Sequence, residues 1–338
     1  MKRSHPQSFR FDLILLFPPA LGDSMMSVQA LNVYWRFLSE SSVLGVVSDA
    51  YLPLFQQLFP GWVFNKYSEA ENPSATYKLS ASTIIDFRSD ESSETLLKEL
   101  AADRKFYFDF SGERKIVNLN AEGEVQYFET VKIKDHAHEI GTEISAWKMD
   151  AELITTYIGI VHNNREQELQ KLAVSNIRNI PKDAKAGTRF ANGHILIFPC
   201  GTTDAKKWPV ENWQALIDDL KKRGFGAKIF LGPSESSYQK LFDEKAEVYI
   251  NQPWSCIIQS FDQNTLVICN DCGPMHVAGT MGCRLIALFG PTNEKVWFTY
   301  QGTGVALKKT ENSWPSVDDV LSAITAFENR KQPQARTH

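Results

Sequence analysis

The chain has 338 residues, more than one typical hydrophobic core holds, so two domains are expected. Hydrophobic residues make up 43% and charged residues 22%, the balance of a soluble globular protein and not of a disordered one. The formal net charge of −4 argues against a general nucleic-acid binder, and no apolar run approaches the ~20 residues that span a bilayer. The first ten residues are polar. The apolar run after them, 13–21, is broken by Pro18 and Pro19 and lacks a small-residue cleavage site, so it reads as a first core strand and not as a signal peptide.

In chain order, the first half alternates strand and helix patterns. Strands are expected over 11–17, 43–47, 83–87 and 106–110, and helices over 23–39, 52–58 and 92–102. In the first helix Met26, Ala30, Val33 and Phe37 recur at helical spacing. The pattern over 119–135 is ambiguous, and a helix follows over 143–161. The polar stretch 167–193 carries Pro181 and reads as the inter-domain linker. Alternation then restarts. Strands are expected over 195–198, 227–231 and 248–251, and helices over 210–223, stopped by Gly224, and over 234–242. A strand–turn–helix–strand unit spans 265–292, and a last helix covers 316–329, capped by Ser316 with Asp318 and Asp319 in its first turn. The expected domains are residues 1–185 and 186–315, then a C-terminal helix over 316–330 packing back toward the first domain, and a flexible tail over 331–338. Two consecutive βα domains make an α/β protein of two Rossmann-like, doubly wound domains facing a central crevice, with strand ends as the places for chemistry.

Charge is uneven. Up to Lys185 there are 20 Lys and Arg against 25 Asp and Glu; from Ala186 the counts are 16 and 15. The first half is therefore the acidic one. The five cysteines all lie in the second half, and the single CxxC pair, Cys269 and Cys272, has no second pair or His pair to complete a zinc site. They read as reduced thiols in core or turn positions.

Four strand ends carry candidate chemistry. After the first strand, Asp23 of Leu21-Gly22-Asp23-Ser24 is either a general base or an N-cap. The absence of GxGxxG there disfavours a nicotinamide or flavin site. The loop 198–209 offers Thr202, Thr203, Lys206 and Lys207 on a glycine-containing turn that suits phosphate oxygens, although it is not a P-loop. Its alternative is a solvated loop with surface lysines. Glu235, after Gly232-Pro233-Ser234, either accepts hydrogen bonds from a nucleoside or stabilises the start of its helix. Most informative is Asn270-Asp271-Cys272-Gly273-Pro274-Met275-His276. Gly273 permits close backbone approach, Pro274 suits a first helical turn, and the helix N-terminus offers N–H groups and a positive dipole end to a diphosphate. An ordinary Asp cap before a core helix fits the same residues. His136 and His138 beside Glu139 read as solvated histidines, with metal binding the alternative. No Asp-x-Asp spacing occurs, so the metal–diphosphate motif of metal-dependent sugar transferases is missing and no metal is expected.

In this order, these pieces resemble the bacterial heptosyltransferases of glycosyltransferase family 9, which move heptose from ADP-heptose during lipopolysaccharide core assembly. Gly22-Asp23 is similar to the family's N-terminal turn, Thr202-Thr203 with Lys206 and Trp208-Pro209 to its nucleotide-diphosphate loop, and Asp271-x-Gly273-Pro274-Met275-His276-x-Ala278 to its most specific motif. Ala287-Leu288-Phe289-Gly290-Pro291-Thr292 adds to the likeness, while Cys272 stands where Ser or Thr is usual. The resemblance implies a GT-B fold and an inverting, metal-independent glycosyltransferase whose co-substrate is a nucleotide-diphospho-sugar, with no other cofactor. It makes Asp23 the catalytic base and gives the donor to Thr202, Thr203, Lys206, Glu235, Asp271, Gly273, Pro274, Met275 and His276. The implied partners are a nucleotide sugar and a glycolipid or glycan acceptor, with no nucleic acid. The implied location is cytoplasmic, with peripheral contact at the inner face of the inner membrane and no transmembrane segment. The competing expectations are a GT-B transferase with another sugar nucleotide or acceptor, a non-catalytic sugar-nucleotide-binding protein, and a nucleotide-dependent oxidoreductase.

Overall fold

The computed structural model describes residues 7–70, 77–109, 111, 115–129, 147–161, 194–261, 265–298 and 303–329. It divides into two compact units, Met1–Asn179 and Ile180–His338. The boundary and the expected linker, His136, His138, Glu139 and the tail all lie outside the described residues.

The first unit is built on a seven-stranded sheet. In chain order come β1 (Gln7–Leu16), helix α1 (Leu21–Val33), β2 (Val43–Val47), α2 (Leu52–Leu58), β3 (Val63–Lys66), β4 (Tyr77–Asp86), α3 (Glu91–Glu99), β5 (Ala101–Asp109), β6 (Lys115–Asn120), β7 (Val125–Glu129) and α4 (Trp147–Val161). The strand order is β3-β2-β1-β4-β5-β6-β7. The pairs from β3 through β5 are parallel, and β6 and β7 add antiparallel at one edge. The end of β6 and all of β7 fall in the stretch 119–135, whose sequence pattern is ambiguous. All five residues of β2 are buried, as expected of a parallel strand covered on both faces. The helix expected over 23–39 is interrupted: α1 ends at Val33, and a separate four-residue helix, Trp35–Leu38, follows Tyr34. A polar seam holds α1 to α4, with Ser27 Oγ donating to Asp150 at 2.6 Å and the Tyr34 and Thr155 hydroxyls 2.6 Å apart.

The second unit contains β8 (His194–Phe198), α5 (Val210–Lys222), β9 (Gly226–Leu231), β10 (Glu247–Ile250), β11 (Leu266–Asn270), α6 (Gly273–Thr280), β12 (Arg284–Phe289), β13 (Thr303–Lys308) and α7 (Val317–Asn329). Its strand order is β10-β9-β8-β11-β12-β13, parallel throughout. On α5, Trp213, Leu216, Ile217 and Leu220 face the sheet at helical spacing. Gly224 stops it at φ 81°, a conformation that favours glycine. The helix expected over 234–242 is instead a 3-10 stretch, Pro233–Tyr238, followed by a single turn, Gln239–Phe242. Val320, Leu321, Ala323, Ile324 and Phe327 of α7 lie in the core built on β8, β9, β11, β12 and α5 of its own unit. Its apolar face is filled there by the residues of the second sheet.

Each unit is doubly wound. The chain leaves β1 toward β2 and β3, then crosses back to place β4 on the other side of β1. The second unit does the same at β8, with β9 and β10 on one side and β11 on the other. In open α/β sheets such reversals leave a crevice at the carboxyl ends of the two strands, where ligands bind. No helix among the described residues is long and apolar enough to cross a membrane.

Candidate active site

The reversal in the second unit is the place where most of the candidate residues converge. The chain leaves β8 through Cys200, Gly201, Thr202 and Thr203, makes one 3-10 turn at Asp204–Lys206, and enters α5 after Trp208-Pro209. Asn270, the last residue of β11, ties this loop down. Its Oδ1 accepts the Trp208 N–H at 3.1 Å and its Nδ2 donates to the Cys200 carbonyl at 3.0 Å. Trp208 is buried; its Nε1 donates to the Pro315 carbonyl at 2.8 Å and its ring meets Trp213 edge-on. The loop is thus held at both ends by the Asn270 carboxamide.

The clamped loop presents Lys206 to Asp271, 2.8 Å from Nζ to Oδ2. Asp271 is buried while about a quarter of the Lys206 side chain stays exposed. Just beyond Asp271, α6 begins with Pro274 in its first turn and Cys272 as its N-cap, and no side chain caps it. Asp271 is therefore not the helix cap, and that alternative falls away. Met275 is fully buried in the core, so its own side chain anchors the helix, and Gly273 and Pro274 form the turn that aims the helix end.

His276 is buried one turn along. Burial lowers its pKa to about 4, with Asp271 opposing the shift and Lys206 adding to it. The imidazole is thus neutral at pH 7, and its Nδ1 has no hydrogen-bond partner among the described residues. An unsatisfied buried nitrogen next to a buried carboxylate and a lysine suits a polar ligand. Glu235 is also buried, 3.5 Å from Lys207, and its Oε2 stands over Gly232, where a Cβ would lie 3.1 Å from it. Glu235 lies in the 3-10 stretch, so its expected role at the start of an α-helix is replaced by this ion pair. Thr202 and Thr203 are exposed on the loop. The thiols of Cys200 and Cys272 interact and both are pushed well up, Cys200 by that hydrogen bond first and Cys272 by burial first. At neutral pH they are protonated.

Asp23 belongs to the other unit. It lies exposed in the first turn of α1, after the β1 strand end at that unit's own reversal. The N-cap is Ala20, so Asp23 is not the cap.

Some residues around this site carry no role in the sequence reading. Asn270 and Gly290 sit inside motifs whose other members do, and Lys207, read there as a phosphate ligand, pairs with Glu235. Lys308 had no local signal, because it ends a strand that periodicity did not reveal.

The family model for glycosyltransferase family 9 (heptosyltransferase) matches residues 131–322. No curated protein matches the chain in sequence. Among solved structures, the Escherichia coli heptosyltransferase WaaC with ADP aligns with a TM-score of 0.65 at 16% identity, covering 94% of this chain and 99% of that one. The E. coli ADP-heptose lps heptosyltransferase II aligns at 0.58 and 12% identity, over 94% and 98%. A family 9 glycosyl transferase from Veillonella parvula DSM 2008 aligns at 0.60 and 18% identity, over 96% and 92%. At these identities the structural likeness is one of fold, the two doubly wound α/β units of the GT-B class. The family match spans more than half of the chain, including the clamped loop, Asp271 and α6, and it makes this protein a glycosyltransferase of family 9, the heptosyltransferase family.

Proposed function

We propose that this glycosyltransferase moves heptose from ADP-heptose onto a cell-envelope glycan such as the lipopolysaccharide core, inverting the anomeric carbon without a metal ion. One observation carries the donor half: Lys206 is held 2.8 Å from buried Asp271, two residues before α6, whose N-terminus has no side-chain cap. This arrangement offers a cation, backbone N–H groups and a dipole end to a diphosphate. The solution of WaaC, a heptosyltransferase of the same fold, with ADP supports an ADP-sugar. The transfer is an in-line displacement. The acceptor hydroxyl attacks the anomeric carbon, its proton passes to the Asp23 carboxylate, and the bond to the diphosphate oxygen breaks. Lys206 and the α6 amides take up the charge left on the diphosphate. Thr202 and Thr203 add hydroxyl donors to it, Glu235 contacts the nucleoside, and neutral His276 beside Asp271 hydrogen-bonds the donor sugar. The proposed place of action is the cytoplasmic face of the inner membrane.

The test is a thermal-shift panel of ADP-, UDP-, GDP- and CMP-sugars followed by a transfer assay onto heptose-deficient lipopolysaccharide, with and without excess EDTA. Selective stabilisation by ADP-heptose and EDTA-resistant transfer are expected. Selective stabilisation by another nucleotide sugar, binding without transfer, or activity lost to EDTA and restored by Mg²⁺ would each overturn the corresponding element of the reading.

A further inference from the structure

Lys308 closes β13, in register with Phe289 at the end of β12. Its ammonium reaches back over the turn that follows β12. It donates to the Gly290 carbonyl at 2.7 Å and to the Thr292 carbonyl, and lies 3.9 Å from the Glu294 carboxylate. An ammonium has three N–H donors, and here it has three acceptors. Two of those acceptors are carbonyls of one tight turn, so the side chain straps the turn 290–292 to the edge of the sheet. Lys308 is one-third exposed; burial lowers its pKa, against the pull of Glu294 and Asp271.

What the strapped turn touches gives it meaning. Gly290 packs against the backbone of Ala205, the residue before Lys206. A Cβ built on Gly290 would lie 2.3 Å from the Ala205 carbonyl oxygen and 2.9 Å from the Trp314 ring. The turn is therefore a backstop in direct contact with the loop that carries the ammonium facing Asp271. Asn270 holds that loop at its two ends, and Gly290 supports its middle.

We infer that Lys308 is a positioning residue of the donor site: it straps the turn 290–292 against Ala205 and so holds Lys206 where it meets Asp271 and the donor diphosphate. This rests on the reading above in which Lys206 binds the diphosphate. Lys308 acts through Lys206 and needs no contact with the nucleotide. Its side chain can lose its charge and still serve, provided it keeps N–H donors for the two carbonyls.

Two measurements test it. The first is hydrogen exchange in the ligand-free protein at the amides of Lys206, Lys207 and Trp208, each of which donates a hydrogen bond in this loop. Lys308→Met should speed their exchange. The second is calorimetry with ADP on Lys308→Met, Lys206→Ala and the double variant. Lys308→Met should weaken ADP by about tenfold alone and by less than about twofold in the Lys206→Ala background, because coupled residues are non-additive. Lys308→Gln, which keeps two N–H donors without the charge, should restore most of the affinity. Unchanged exchange in the loop overturns the strap. So does an equal loss of affinity in both backgrounds, or a Lys308→Gln variant as weak as Lys308→Met, since either makes Lys308 a direct partner of the phosphates. If Lys308→Met does not fold, the same cycle with Lys308→Gln decides: normal exchange with lost binding overturns the strap, and near-normal values for both support it. A wild-type protein that does not bind ADP would defeat the donor reading, and the exchange measurement would still settle the strap.

Discussion

Replacing Asp86 with asparagine should stabilise the protein, and only where the aspartate is ionised. Asp86 is the last residue of β4, fully buried, opposite Leu16 of β1 and Tyr107 of β5. Its Oδ1 accepts the Arg88 N–H at 2.9 Å, whereas Oδ2 has no hydrogen-bond partner among the described residues. Burial raises its pKa from 3.8 to about 6, against Ser93, the amides of Ser89 and Arg88, and the Arg88 charge. The folded state thus holds the proton more tightly than the unfolded chain. Ionisation takes stability away as pH rises from 3.8, and the full cost stands above about 6. About two pKa units correspond to about 3 kcal/mol at pH 8, and to roughly half of that at pH 5. Asparagine has nearly the same shape, keeps an oxygen for the Arg88 amide and carries no charge. Arg88 does lose a neighbouring anion, but its guanidinium remains 3.1 Å from Asp90 and stacked 4.0 Å from the Tyr67 ring centre. The expected net gain is about 1–3 kcal/mol at pH 8, or a few degrees to about 10 °C in Tm, fading toward zero near pH 4. Differential scanning fluorimetry of both proteins from pH 5 to 8 reads it. An asparagine variant less stable than wild type at pH 8, or a gain that does not change with pH, would refute the burial argument and make attraction to Arg88 the dominant effect.

Two further expectations concern the chemistry. Lys206→Ala should weaken ADP binding by roughly 1.5–3 kcal/mol, the worth of one charge-assisted contact, and calorimetry at fixed salt measures it; unchanged affinity together with unchanged turnover removes Lys206 from the site. Asp23→Asn should leave the melting temperature near wild type, because Ala20 and not Asp23 is the helix cap, while kcat falls about 10²–10⁴-fold. Turnover at the wild-type rate would place the base elsewhere.

The sequence revealed the second unit far better than the first, for physical reasons. β11 is buried throughout and β12 at all but its first residue, a Gly-Pro pair follows each, and the turn Asp271–Pro274 between β11 and α6 carries its own backbone logic. The charge pairing of Lys206 with Asp271 is 65 residues long-range, yet both partners could be placed at strand ends beforehand, and strand ends converge in a doubly wound sheet. β13 gave no such signal, because its described side chains are all only half-buried and lack clean alternation. Lys308, at its end, is defined only by carbonyls across the turn and stayed invisible with it. β3, a four-residue strand with mixed burial, escaped for the same reason. The N-cap alternative for Asp23 fails because the chain turns earlier: Ser24 Oγ donates to the Pro18 carbonyl at 2.6 Å and α1 begins at Leu21. Helical spacing runs on past Tyr34, but there the backbone leaves helical geometry, at φ −102° and ψ 15°, where its hydroxyl meets Thr155.

Asn270 has a kinetic consequence. One carboxamide joins the two ends of the nine-residue loop from Cys200 to Trp208, turning it into a closed ring before any nucleotide arrives. The entropy of ordering that loop is lost once, during folding, and not again at each encounter. Nucleotide capture should then resemble docking onto a rigid surface, with a single-phase association rate that is linear in concentration. Differences in affinity among related nucleotides should appear almost wholly in how long each one stays.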